Sequence, residues 1–178
     1  MRALGARHFA MFLLAGLPCV ALATADAVSD LQARFDRETN SVRKAKLLEK
    51  LGDAQFEQTR HASQSNDYQT VGLVMEKYRD NARLAADALK KEHPDAERHT
   101  GGYKQLQMHI HKAIRELDEM IIIAPSEYRP PLELVRHDLS EIDDDLLKLL
   151  FPIRHPQEKK PEGKNAQPGP PSATEKSP

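Results

Sequence analysis

The chain has no tryptophan and a single cysteine, Cys19, among its 178 residues. Between Ala27 and Phe151 it has only four glycines, Gly52, Gly72, Gly101 and Gly102. That span contains no run of alternating apolar and polar residues bounded by turn signals, so strands are not expected. No apolar run reaches the roughly 20 residues of a membrane-spanning helix. The motifs that carry familiar chemistry are missing as well. There is no C-x-x-C-H for haem attachment, no G-x-x-x-x-G-K-[ST] for phosphate, no G-x-S-x-G for a nucleophile and no H-E-x-x-H for zinc. The Glu-x-x-His pairs of a di-iron bundle are absent too. The acidic run Glu141-Ile142-Asp143-Asp144-Asp145 lacks the glycine and spacing of an EF-hand and reads as the wet face of a helix. With nothing to carry a reaction, a non-enzymatic protein is expected.

The start of the chain has three parts. Arg2 and Arg7 form a positive segment, an apolar run extends from Phe9 to Ala23 with Pro18 inside it, and Ala23-Thr24-Ala25 is an A-x-A site before Asp26. This is the pattern of a cleavable secretory signal peptide over residues 1–25, and it implies an exported protein, periplasmic or secreted. A lipoprotein signal would need a small residue before the cysteine, where Pro18 stands. Cleavage would remove Cys19, so the exported form would carry neither disulfide nor thiol chemistry. It would keep 24 Lys+Arg against 27 Asp+Glu, a net charge of −3. A weakly acidic chain without tryptophan has neither the phosphate-neutralising excess nor the stacking platform of a nucleic-acid binder. At the other end, residues 152–178 hold seven of the 12 prolines, mixed with Lys, Glu, Gly and Ser. Such a segment buries too little apolar surface to offset its ordering entropy, and a disordered tail is expected there.

The middle, residues 26–151, reads as one helical domain. Tyr68, Val71, Met75, Tyr78, Ala82, Ala85 and Leu89 recur at alternating spacings of three and four. Tyr103, Leu106, Ile110, Ala113, Leu117, Met120 and Ala124 repeat that rhythm, as do Leu132, Val135, Leu139, Ile142, Leu146 and Leu149. This is the period of bundles and coiled coils. Ile114 and Ile121 widen one stripe beyond a two-stranded seam, which favours a bundle. A second helix over about 42–64 is less regular: Leu47, Leu48, Leu51 and Ala54 begin a stripe that Gln58 and His61 continue. A short first helix over about 28–38 presents Leu31 and Phe35, with Ser29 in the position of its N-cap. Asn66 occupies the corresponding position before the third helix, and Pro94 and Pro125 terminate helices. Pro130-Pro131 fits a first helical turn. The expected fold is all-α: an antiparallel up-down bundle of four long helices plus the short N-terminal one.

Leu51-Gly52, Phe56 and the turn at Asn66-Asp67 resemble part of a tetratricopeptide repeat, a family in which the glycine lets two helices approach closely. The likeness covers about 20 residues, does not recur along the chain, and has Leu47 where that family places an aromatic. Peptide binding is therefore not carried over; a glycine lying beneath Tyr78 in a helical hairpin explains the same residues.

His109 and His111 invite a metal-site interpretation, but two residues on a helix lie about 200° apart. His109 is expected to flank the core and His111 to face water. His137, with Glu133 and Glu141 one turn away on either side, reads as a surface residue. His93, His99 and His155 meet at one pole of the expected topology and are the candidate metal ligands. Met75 and Met120 read as core and Met108 as surface, which leaves haem ligation without a clear axial methionine. No cofactor is expected. The sequence favours an exported interaction or envelope-structural module, with a metal- or haem-binding bundle as the alternative. Leu73, Ile122 and Leu134 are left off the stripes and are expected to share one pole, beyond easy reach of the first helix. They are the candidate surface for self-association or a protein partner.

Overall fold

The structure, a computed structural model, describes residues 19–152, with side chains from residue 26 onward. It consists of five helices: α1 (Cys19–Arg37), α2 (Ser41–Gln64), α3 (Tyr68–Glu92), α4 (Thr100–Ile123) and α5 (Arg129–Leu150). No strand occurs among the described residues. None of the described helices is long and apolar enough to cross a membrane. The amino-terminal part of the expected signal peptide, residues 1–18, and all but the first residue of the expected tail lie outside the described residues.

The punctuation is chemical. At the end of α2, Asn66 adopts a left-handed φ of 56°, which asparagine tolerates better than most residues. The Asp67 amide returns to the Ala62 carbonyl and the Asn66 amide to Ser63, which closes a Schellman turn. Asp67 then caps α3 by accepting from the Thr70 amide at 3.1 Å. The cap is thus one residue beyond Asn66, because Asn66 is occupied in ending the previous helix. Ser29 does not cap α1; that helix starts at Cys19 and runs straight through it.

Chain direction alternates along α2–α5, as the short links require. The spatial order is less simple. α2 packs on α3 and α4, α5 packs on α4 and α3, and α3 and α4 meet across the diagonal. Two seams are therefore antiparallel and two parallel. The α2–α4 seam advances in register from Gln105–Glu49 (2.6 Å) through Lys112–Asp53 (2.8 Å) to Arg60–Glu116 (2.8 Å). Along α3–α5, Arg79 pairs with Asp138 at 3.3 Å and Lys90 with Asp145 at 3.6 Å. The links explain the order. Residues 65–67 and 124–128 join neighbours, whereas the longer 93–99 segment crosses the bundle and buries Ala96 on the way.

The three stripes of α3, α4 and α5 make up most of the core and are buried from Tyr68 to Leu146, with Leu149 only partly buried. α2 differs. Its inward face is Ser41, Ala45, Leu48, Gly52, Gln55 and Thr59, flanked by Leu51 and Phe56, while Gln58 and His61 are only half-buried. α1 lies outside the four-helix ring against α2, running antiparallel to it. Phe35 is its fully buried anchor, with the Lys44 ammonium 4.8 Å above its ring.

Candidate functional site

The α2–α3–α4 junction gathers the least ordinary side chains. It exists because α2 has no side chain at residue 52. A Cβ on Gly52 would overlap His109 Nε2 and lie 2.8 Å from Tyr78 Cε2. The glycine therefore admits a ring from α3 and a ring from α4 to the same point on α2. Phe56, one turn further along, completes the cluster, 5.0 Å from Tyr78 and 6.1 Å from His109 between ring centroids.

His109 flanks the core as expected, and is 6% exposed. Its Nε2 and the Tyr78 hydroxyl are both buried without a hydrogen-bond partner among the described residues. Burial pushes the Tyr78 hydroxyl well above its ordinary range, with the negative charges of Asp53 and Glu116 acting in the same direction. Burial also pushes the His109 imidazole down; Asp53 pulls it back up, Lys112 lowers it and Glu49 raises it. Outside the ring, a groove of about 390 Å³ opens between α2 and α4. Glu49 and Asp53 line one side, Lys104, Gln105 and Lys112 the other, and His109 is also among its lining residues.

His111 is exposed, as expected, and its Nδ1 lies 3.4 Å from Asp143 Oδ2. Asp143 departs from the wet-face expectation for the acidic run. It is buried between α5 and α4, where Gln107 Nε2 donates to it at 3.0 Å. Asp144 and Asp145, the next two residues, remain exposed. Asn81 and Gln55 are also buried polar residues that an apolar stripe could not reveal. Their signal was position alone: Asn81 directly precedes Ala82 in its stripe, and Gln55 continues the three-and-four spacing of α2.

Of the candidate metal ligands, His93 and His99 do meet, with ring centroids 4.4 Å apart and planes 28° apart. That is stacking, which presents ring faces rather than convergent nitrogens. His155 lies outside the described residues. Among the described residues no group of three or more His, Cys, Asp or Glu could hold a metal ion. His137 is exposed, with Nε2 3.6 Å from Glu141. Met75 and Met120 are buried and Met108 is exposed.

The three residues left off the stripes are all uncovered: Leu73 is 61% exposed, Ile122 73% and Leu134 56%. Ile122 is the last residue but one of α4, and its carbonyl accepts from Arg129 at the start of α5. Leu73 lies near the start of α3, but α1 does reach it. Packed along α2, α1 brings Val28 and Gln32 to the same groove of about 520 Å³ that Leu73 lines with Gln55. No protein-family model, curated protein or solved structure matches the chain.

Proposed function

We propose that the chain is an exported, non-enzymatic helical bundle that acts as an interaction or envelope-structural module. Its docking surface is the pole where α3 and α5 begin and α4 ends, and the occupant is a protein partner or a second copy. The observation that supports this reading is that Leu73, Ile122 and Leu134 are exposed apolar residues on the helix segments nearest that pole, with Ile123 and Tyr128 also exposed at the α4–α5 corner. Leu73, Ile122, Ile123 and Leu134 each lie off the buried stripe of their own helix, so the core does not need them. Water-exposed apolar area recovers about 25 cal/mol per Å² when covered, which makes such a pole a favourable place to dock. The A-x-A junction after the apolar leader supports export.

The test is to change Leu73, Ile122 and Leu134 together to serine. Mass is followed by sedimentation, partner capture by crosslinking in the envelope, and folding by thermal melting. Lost association with an unchanged melt supports the reading. A wild-type chain that is monomeric and crosslinks to nothing through this pole overturns it.

A further inference from the structure

The junction of α2, α3 and α4 closes over a side chain that can change its charge. The Nε2 edge of His109 rests on the bare α-carbon of Gly52, and the ring lies edge-on to Tyr78 at 5.8 Å between centroids. A neutral ring with its proton on Nδ1 tolerates this packing, because the Nε2 lone pair faces a weakly polarised C–H. A protonated ring does not, because it would aim a charged N–H at carbon with no acceptor in reach.

The groups around the ring are few. From α2 come Glu49 and Asp53, which accept from Gln105 and Lys112 respectively. From α3 comes the buried Tyr78 hydroxyl. α4 itself contributes Lys104 and Lys112 on the groove side. On α5, Asp143 is engaged by Gln107 and His111, on the other flank of α4. The two α2 carboxylates lie within one turn of Gly52, on either side of it, and line the groove that His109 also lines.

We infer that His109 is a proton-operated latch: neutral, it seats on Gly52 and holds α2 against α4; protonated, it leaves that seat for the groove, where Glu49 and Asp53 accept its N–H, and the seam loosens. The sign follows from where the ring binds its proton. The unfolded ring takes one up near pH 6.5, while the seated ring takes one up only at lower pH. Between those values the unfolded state holds more protons, so stability is fully present above about pH 6.5 and declines as the solution is acidified through that window.

The test uses the full chain and NMR of its histidine side chains between about pH 7.5 and about pH 4.5, with thermal melts across the same range. The expected result is a His109 ring resonance with a midpoint below about 6.5. Gly52 amide and Tyr78 ring resonances should move with that same midpoint, and the melting temperature should fall over the same interval. In His109→Phe, which keeps an aromatic ring on Gly52, that fall should disappear, and in His111→Ala it should persist. A His109 midpoint at or above 6.5 overturns the latch, as do Gly52 and Tyr78 resonances that stay still while His109 titrates. The wild-type titration decides the matter even where the phenylalanine variant does not fold.

Discussion

Gln32 and Asn81 face one another as reciprocal amides. Gln32 Nε2 donates to Asn81 Oδ1 at 3.1 Å, and Asn81 Nδ2 donates to Gln32 Oε1 at 2.8 Å. The pair fastens α1 to α3, a helix whose backbone it does not otherwise approach closely. Asn81→Ala would remove both bonds at once, at a cost of about 1–2 kcal/mol, since Gln32 can turn back to water. The check is the rate of proteolysis at residues 38–40, the α1–α2 link, which should rise while the melt of the four-helix core shifts only slightly.

Gly52 and Gly72 should respond to alanine with opposite signs. Both are helical, and replacing a helical glycine with alanine gains about 0.5–1 kcal/mol of backbone entropy. At Gly72 nothing lies within 4 Å of the new Cβ, so the gain stands. At Gly52 the Cβ would meet two buried rings, and overpacking of that kind costs about 1–3 kcal/mol or more, which outweighs the gain. Denaturant melts should show Gly72→Ala more stable than wild type and Gly52→Ala less stable.

Leu117→Ala and Leu139→Ala should each lower stability by about 2–5 kcal/mol, because both side chains are fully buried and the ring of four helices cannot collapse onto the space. His111→Ala should stay within about 0.5 kcal/mol. Its ring is exposed, and Asp143 keeps the Gln107 bond without it. Chemical denaturation of the three variants side by side tests the contrast.

Glu92 should make α2 acid-sensitive at its first residue. The Ser41 amide donates to Glu92 Oε2 at 2.7 Å, and this backbone hydrogen bond is the main cause that holds the Glu92 carboxyl below its ordinary 4.5. A carboxylate depressed on folding contributes stability above its unfolded value, and that contribution is lost as pH falls through the folded one. Glu92→Gln should therefore lower the melting temperature at neutral pH, with the difference from wild type vanishing in acid below the carboxylate range. Paired melts at neutral and strongly acidic pH measure it.

Three helices were legible because their buried positions are apolar. Tyr103 to Ala124 and Leu132 to Leu146 announce their inward faces by spacing alone. α2 was not, because six of its inward positions are held by Ser41, Ala45, Leu48, Gly52, Gln55 and Thr59, only one of them a large apolar residue. Hydropathy cannot register a stripe of small and polar side chains. The resemblance of Leu51-Gly52 to a close-packed helical hairpin did capture the physical point, since Gly52 does lie beneath Tyr78. The placement of His109 and His111 followed from angle alone. The burial of Asp143 did not, because it depends on Gln107 arriving from α4, and residue spacing within α5 carries no information about a neighbour. The diagonal crossing was hidden for the same reason: alternating chain direction fixes how helices run but not who stands beside whom.

That crossing divides the electrostatics of each end of the molecule. In a ring where every neighbour is antiparallel, helix starts and helix ends alternate and their fields cancel locally. Here α2 and α4 stand side by side and point the same way, as do α3 and α5. Each helix start carries about +0.5 of an elementary charge and each helix end about −0.5. The end of the bundle containing Ser41 and Thr100 therefore has a half rich in unpaired amides beside a half rich in unpaired carbonyls. Glu92 reaches over the dividing line, from the carbonyl half that disfavours an anion to the α2 amide that welcomes it. The opposite end, where Ile122 and Leu134 are uncovered, has the same split with the sides exchanged, so anything that settles there meets a surface with a built-in direction.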